Sequence, residues 1–498
     1  MSGQAPHNSA STTAAPAAVH ADAPAPLLRS LSLFDLVLSQ ILFVVGSGWV
    51  GFAALLGRAQ AVYWITAMLV FYLPMALAVL YLNRAMPLEG GLYAWARIAF
   101  GDFSGFLVAW NIWIYSLGVA AVILFSIPSE IGYLLGPSGA HLAQNPLQST
   151  LIILTILALL TFASVLGLEF GKWFYNLGGA AIVAVFATLI LLPVLALLRH
   201  QPIHWEPLPF ALPTLSRHAF ATVGLMMIGG LAGLEYIAIL AGETQAPART
   251  IGRSVQIASP IICLLFILGT SSVLAFAHGP VNILAPVPQT FRLALGNSGW
   301  GNLLAIAAIA ALQLRLLGTA SLVLTGASRL ALTAGWNHLL PRWFTRIHPR
   351  RRTPVNSILF TALLVLAILL SASYNTRIQE AFQEMLEVSV AHYALAYLAM
   401  FAIPIGAAFG WTQNQTWTHK HSPSPMHALA HRLPRWLAIS SAVGFAATLF
   451  SLIVSLFPVV RVASPAAYAA RILLLTLLSN LCAAGFYRLR QRRADPSQ

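Results

Sequence analysis

The chain consists of long apolar runs separated by short polar segments. A helix needs about 20 mostly apolar residues to cross a bilayer, and twelve runs are close to that length or exceed it. A soluble protein rarely contains so many apolar runs of this length, so each one is interpreted as a membrane-spanning helix. The predicted spans, numbered 1 to 12, cover residues 33–57, 62–84, 103–135, 147–166, 171–198, 219–241, 252–277, 300–328, 355–373, 378–405, 436–459 and 466–487. The pattern therefore predicts an all-α integral membrane protein.

The amino-acid composition indicates the same class. Hydrophobic residues make up 58% of the 498 residues and charged residues only 8%, whereas typical soluble domains contain about 25% charged residues. A soluble fold with so few charges would not cover its surface with polar groups. Lipid is therefore the expected solvent for most of this protein.

The net charge of +14 follows the predicted topology. If both termini are cytoplasmic, nineteen of the 27 Lys and Arg residues fall on the cytoplasmic side and seven on the other side, and Arg315 lies within a span. This positive-inside bias predicts the orientation. The lipid bilayer is thus an expected partner, and nucleic acid is not.

Residue types with reactive side chains form no recognisable constellation. Cys263 and Cys482 both lie in predicted spans, so a disulfide is not expected, and no metal-ligand spacing occurs. No nucleophile elbow or other catalytic motif is present. The sequence predicts a protein that is not an enzyme and that needs no metal or cofactor.

Glycines interrupt two of the predicted spans near their middle. Span 1 carries Gly46, Ser47, Gly48 and Gly51, and span 6 carries Gly229, Gly230 and Gly233. Unwound backbone at membrane depth is tolerated only where its N–H and C=O groups face a cavity or a ligand. Two such interruptions, five spans apart, indicate a binding site in an inverted-repeat transporter. The alternative is that the glycines only allow close helix packing.

Several motifs occur in a characteristic order over residues 30–405. Span 1 contains Gly46-Ser47-Gly48, and span 2 is followed by Pro87-Leu88-Glu89-Gly90-Gly91-Leu92-Tyr93, Phe100-Gly101 and Gly105-Phe106. Span 6 contains Gly233-Leu234-Glu235 and is followed by Ala241-Gly242-Glu243 and by Pro247 to Thr250. The loop after span 8 contains Ser328-Arg329, Leu339-Leu340-Pro341, His348-Pro349 and Thr353-Pro354-Val355-Asn356. Each motif alone is weak, but in this order the chain resembles the amino acid–polyamine–organocation (APC) transporter superfamily and its amino acid permeases.

The resemblance implies the leucine-transporter fold, with a 5+5 inverted repeat, broken spans 1 and 6 and transport by alternating access. The implied organisation is a disordered cytoplasmic tail (1–30), a transporter core of spans 1–10 (31–405), a cytoplasmic loop (406–434), peripheral spans 11 and 12 (435–487) and a basic cytoplasmic tail (488–498).

The resemblance also implies where a substrate binds. Free N–H groups at the start of a half-helix suit a carboxylate, and free carbonyls at the end of one suit an ammonium group. The carboxylate is expected on the backbone of span 1 and the ammonium group on carbonyls of span 6. The expected substrate-binding residues are Val45, Gly46, Ser47, Gly48, Ile228, Gly229, Gly230, Leu231 and Gly233.

One departure from the family concerns the aromatic gate that many relatives place in the span 6 break. This chain has Gly229, Gly230 and Leu231 there. The candidates for a replacement lid are Trp49, Trp110, Trp113 and Tyr115. Interfacial anchoring or packing is the alternative account of these aromatic residues.

Two ionisable residues within spans are candidates for coupling or gating, because charges at membrane depth are costly and usually functional. The resemblance implies that Glu235 titrates or links two states; the alternative is a structural hydrogen bond. It also places Arg315 where sodium-coupled relatives keep a small hydroxyl residue. A guanidinium there would replace the cation and bridge spans 1 and 8, so transport is expected to be sodium-independent. An ion pair that only packs helices is the alternative.

Span 10 carries an acidic face. Glu380, Glu384 and Glu387 are spaced by four and three residues and therefore lie on one side of a helix. They are expected to line an outer vestibule, where they attract cations, relay protons or pair with Arg315; placement of the first two in interfacial water is the alternative. Glu387 and the deeper His392 are the better candidates for coupling.

The leading hypothesis from the sequence is a permease of the cell membrane that moves amino acids by proton-coupled symport or by exchange, without sodium. The first alternative keeps the fold and changes the cargo to a polyamine or another organic cation, as the acidic face of span 10 suggests. The second is a non-transporting amino acid sensor, which usually carries a long cytoplasmic output domain, whereas only short tails flank the spans here.

Overall fold

A computed structural model of the chain describes residues 32–86, 91–139, 141–142, 144–166, 168–234, 247–333, 340, 342–351, 353–373, 377–409 and 434–494. Its regular secondary structure over these residues is helical. Ten helices in the described part of the chain are long and apolar enough to cross a membrane. The prediction of an all-α membrane protein is confirmed, while the twelve-span count and the inverted repeat stay predictions.

The helices are numbered in chain order. They are α1 (Leu33–Val44), α2 (Ser47–Ala54), α3 (Gln60–Ala67), α4 (Leu73–Ala85), α5 (Leu92–Phe100), α6 (Asp102–Leu134), α7 (Pro146–Leu166), α8 (Leu168–Leu198), α9 (Arg217–Leu225), α10 (Pro247–Phe276), α11 (Pro286–Leu295), α12 (Gly299–Thr333), α13 (Arg342–Thr345), α14 (Val355–Ser373), α15 (Ile378–Phe409), α16 (Arg435–Val454) and α17 (Pro465–Ala494). Turns of π-helix, Met68–Tyr72 and Met226–Gly230, follow α3 and α9.

Most predicted spans coincide with a helix, and the exceptions have local causes. The predicted span 11 extends to residue 459, but α16 ends at Val454, a few residues before Pro458, which cannot continue a helix. Conversely, α17 continues to Ala494, because no glycine or proline occurs between Phe486 and Ala494. Residues 488–494 of the predicted tail 488–498 are therefore helical, and the boundary of the tail stays a prediction. The predicted N-terminal tail lies outside the described residues.

The long helices pack around α6, α12 and α15. The helix α12 packs against α8 and α6, and α15 packs against α6 and α16. An added Cβ at Gly118 of α6 would lie only 1.9 Å from Ser389 Oγ of α15, so this crossing requires glycine. Close approach at small residues is the usual way in which membrane helices pack. The crossing brings α15 next to the helices that carry the candidate site.

Candidate functional site at two interrupted helices

The first interruption separates α1 from α2. The first helix ends at Val44 and the second begins at Ser47, with Gly46 extended between them at φ −112° and ψ 134°. The first N–H groups of any helix lack intrahelical acceptors, and no side chain caps this end of α2. Because Val45 is 1% and Ser47 4% exposed, these donors lie inside the protein. They suit an anionic group.

The second interruption follows α9. A π-helical turn at Met226–Gly230 widens the helix, which ends at Leu231. Gly233 has a φ of +119°, which favours glycine, and its N–H donates to Tyr397 Oη of α15 at 3.1 Å. The last carbonyls of a helix lack partners within it. This end therefore presents acceptors, which suit a cationic group.

The indole of Trp49 lies between the two interruptions. An added Cβ at Gly229 would lie 2.1 Å from Trp49 Cη2, and one at Gly46 would lie 2.7 Å from Trp49 Cδ1. The indole thus reaches from the first interruption to the second, and it also packs near Phe52, with ring centroids 6.0 Å apart. Because glycine has no side chain, the indole fits between the two positions. The two breaks and this ring form one compact site.

The other aromatic lid candidates lie elsewhere. Trp110 donates a hydrogen bond from Nε1 to Ser479 Oγ of α17 at 3.1 Å, and Trp113 packs against Trp110. Tyr115 stacks on Tyr393 of α15, with ring centroids 3.8 Å apart. The indole of Trp110 thus contacts α17, and the lid role of these aromatic residues stays a prediction.

Arg315 contacts the first interruption directly. Its Nη2 donates to the carbonyl oxygen of Val45 at 3.0 Å, joining α12 to the end of α1. Its charge also acts on Glu130 of α6, whose carboxylate accepts a hydrogen bond from Gln313 Nε2. Glu130 is 3% exposed. A buried polar group of three side chains therefore supports the break.

Glu130 and Gln313 are not among the residues that the sequence pattern predicts for the site. Glu130 lies near the end of the predicted span 103–135, where a carboxylate is easily assigned to interfacial water. The helix α6 continues to Leu134, so Glu130 is one turn inside. The signal that would have found it is an acidic residue within an apolar run.

The acidic face of span 10 turns toward α17. Arg471 Nε donates to both carboxylate oxygens of Glu384 at 2.9 Å, and its Nη2 donates to Glu380 at 3.0 Å. Among the alternatives for this face, Glu380 and Glu384 thus pair with Arg471 and not with Arg315. Glu387 and His392 are both 0% exposed, and Glu380 is 3% exposed. Neither Glu387 nor Glu380 therefore lines an open vestibule in this structure. Glu235 lies outside the described residues.

A cavity of about 670 Å³ lies apart from the two interruptions, near the ends of α6 and α7. Its lining includes Tyr133, Asn282 and Arg292, and none of the predicted substrate-binding residues. Arg292 donates at 2.6 Å to the carbonyl oxygens of Tyr133 and Leu134, where the end of a helix favours a cation. Burial lowers the pKa of Arg292 from its ordinary value. The cavity is thus not the predicted site.

Comparison with known proteins places the sequence among transporters. The model of the amino acid permease family matches residues 28–478. An uncharacterized transporter of Legionella pneumophila is 24% identical over 388 residues, which are 76% of this chain and 81% of the relative. The methylthioribose transporter of Bacillus subtilis is 22% identical over 69% of this chain and 75% of its own length. The branched-chain amino acid permease of the same organism is 24% identical over 66% of this chain and 71% of its own length.

Proposed function

Because the chain belongs to the amino acid permease family, we propose that it is a secondary active transporter that moves amino acids across the cell membrane by alternating access. One observation carries this proposal: the uncapped start of α2 and the end of the π-helical turn lie on either side of Trp49. The first offers backbone donors and the second backbone acceptors. An α-amino acid presents the complementary pair, a carboxylate and an ammonium group.

The surroundings of the two breaks favour a neutral side chain on the substrate. Phe52, which packs near Trp49, and Leu231, which follows the glycines that contact the indole, are 1% and 0% exposed, and both are apolar. Of the acidic face that motivated a polyamine substrate, Glu380 and Glu384 are paired with Arg471, and Glu387 is 0% exposed. A polyamine also lacks the carboxylate that the start of α2 suits. An amino acid is thus the better match.

Methylthioribose is the second candidate substrate, because a relative over most of this chain carries that name. It has no charged group for the helix ends. Hydroxyl groups would bind the same backbone donors and acceptors, but without the charge that strengthens such hydrogen bonds. A zwitterionic amino acid should therefore compete strongly for the site if the substrate is an amino acid and weakly if it is methylthioribose.

Transport is proposed to be independent of sodium and to run as proton-coupled symport or as exchange. The guanidinium of Arg315 is permanently charged and contacts the carbonyl oxygen of Val45, an atom of the kind that sodium prefers as a ligand. A bound cation there would be repelled. Both termini are proposed to be cytoplasmic, with the transporter core at 31–405, on the basis of the positive-inside bias.

The purified protein in proteoliposomes tests this function. Labelled neutral amino acids should be taken up against an unlabelled internal pool, and putrescine and methylthioribose should compete weakly. Ser47→Trp should abolish this counterflow by filling the first break, whereas Ser371→Trp on the exposed side of α14 should not. Binding without counterflow would instead indicate a sensor. Normal counterflow in Ser47→Trp would contradict the site.

A further inference from the structure

A buried polar cluster joins α15 to α17, away from the two interruptions. It consists of Glu380, Gln383, Glu384, Glu387, Tyr468 and Arg471 and is called the α15–α17 cluster below. Tyr468 lies within electrostatic reach of all three carboxylates and of Arg471. The cluster thus contains three acidic groups and one basic group.

The two carboxylates nearest the start of α15 are both paired. Arg471 binds Glu384 through Nε and Glu380 through Nη2. The second oxygen of Glu380 accepts from the backbone N–H of Ala463 at 3.1 Å, and Gln383 Oε1 accepts from the N–H of Val460 at 2.9 Å. These contacts fix the start of α15 to α17 and to the loop before it. They leave Arg471 with no excess charge to offer a third carboxylate.

Glu387 is one helical turn deeper and has no such partner. It is 0% exposed, its carboxylate oxygens form no hydrogen bond of normal geometry with the described residues, and the nearest polar side chain that acts on it is the uncharged amide of Gln383. The hydroxyl of Tyr468, also 0% exposed, and Nε2 of Gln383 likewise have none there. An ionised carboxylate in these surroundings would be very unfavourable. A neutral carboxylic acid would not be.

The helices that pack on α15 bring no basic side chain to Glu387 within the described parts of the chain. Phe52 of α2 stacks on Phe382, with ring centroids 6.4 Å apart. From α6 come Gly118, against Ser389, and Tyr115, against Tyr393. From α16 comes Gly444, against Phe401. His392 lies farther along α15, with Nδ1 2.7 Å from the carbonyl oxygen of Val388.

We propose that Glu387 is a proton-binding site: it holds a proton in this conformation and releases it when α15 moves relative to α17. The proposal rests on the transport function proposed above and names the site that couples it to protons. No bond other than O–H changes. The carboxylic acid gives its proton to water that reaches it in the other conformation, and the carboxylate takes a proton back when it is buried again.

The packing connects this site to the substrate. The helix α2, whose start forms half of the candidate substrate site, touches α15 through the stacked rings of Phe52 and Phe382. Tyr397, farther along α15, accepts the N–H of Gly233 at the other interruption. Substrate that moves either break therefore moves α15. The contacts of Arg471 hold the outer end of α15, so the movement falls on the segment that carries Glu387.

A labelling experiment tests the proton site without requiring transport. A hydrophobic carbodiimide reacts with protonated carboxyl groups in apolar surroundings, and peptide mass spectrometry locates the adduct. The purified protein should be labelled at Glu387 at acidic pH, and labelling should fall as pH rises. Glu206, a partly exposed acid paired with Arg58, is the control and should stay unlabelled. Absence of label on Glu387 at every pH would overturn the proposal.

A transport experiment tests coupling. Glu387→Gln keeps the shape of the neutral acid but cannot release a proton. In proteoliposomes with an internal pH indicator, this variant should retain counterflow and lose substrate-driven proton entry to the level of protein-free vesicles. Glu206→Gln should keep both. Unchanged proton entry in Glu387→Gln would overturn the proposal. If the wild type shows no counterflow, the proposed transport function is overturned instead. The labelling result then decides whether Glu387 binds a proton.

Discussion

The contact between Gly229 and Trp49 gives the sharpest prediction. Gly229→Ala adds one methyl group at a point 2.1 Å from Trp49 Cη2 and 2.8 Å from its Cζ2 and Cζ3 atoms. Carbon atoms normally approach to about 3.5–4.0 Å, so the indole must move by about 1.4 Å or more. The opposite side of the ring lies against Gly46, which limits that movement.

The expected size of the effect follows from overpacking. An extra methyl group in a well-packed interior costs about 1–3 kcal/mol, which corresponds to about a 5- to 150-fold loss in affinity. Gly230→Ala is the matched control, because its added Cβ would lie 3.4 Å from Trp49 Cγ and Cδ2, close to ordinary contact. It should change affinity much less than Gly229→Ala.

The assay is substrate-induced thermal stabilisation of the purified protein, together with counterflow in proteoliposomes. Trp49→Phe should rescue Gly229→Ala, because the smaller ring does not reach Gly229. The double variant should then bind within about threefold of Trp49→Phe alone, as coupled residues do not act additively. Equal effects of Gly229→Ala and Gly230→Ala, or strictly additive effects of the pair, would refute the placement of Trp49 between the breaks.

Three further predictions concern the helices around the site. Uptake should be unchanged when choline replaces sodium, and sodium-driven uptake by the wild type would contradict sodium independence. Arg315→Met should lower uptake at least about tenfold, because a hydrogen bond from a charged donor to Val45 is worth about 1.5–3 kcal/mol. Gly118→Ala should lower the melting temperature, at a cost of about 1–3 kcal/mol, and Ser389→Gly should restore it; no change in melting temperature would show that the two helices separate easily. Arg471→Met should lower the melting temperature, because the substitution leaves two carboxylates without their cation. The control Arg461→Met, in the preceding loop, should lower it less, and equal melting temperatures of the two variants would contradict the pairing.

The spans were predictable because the requirement for a run of about 20 apolar residues is local and severe. The first interruption was predictable because glycines also interrupt a second span, five spans later, whereas a single glycine such as Gly118 serves helix packing. The place of Arg315 beside span 1 came from matching the motif around Ser328 and Arg329 to the family, and the structure puts its guanidinium 3.0 Å from the carbonyl oxygen of Val45. That it replaces a cation stays a prediction.

The contacts between distant helices were not predictable. Arg471 is 87 residues from Glu384, and nothing in either segment indicates the other. Trp49 looks the same in sequence as a tryptophan at a membrane interface, and only the glycines that it contacts show where it lies. Both results depend on which helix faces lie together, and a single sequence does not contain that information.

The hydroxyl of Tyr397 makes the interruption after Leu231 a joint between two helices. A backbone N–H that is held by its own helix is released only when that helix unravels, but the N–H of Gly233 is held by one phenolic oxygen. Tyr397 is 0% exposed, so this contact opens when α15 shifts against the sixth span, a movement that leaves both helices wound. The sixth span can therefore exchange this partner for water or for a passing solute and recover it, with the rest of its hydrogen bonds undisturbed.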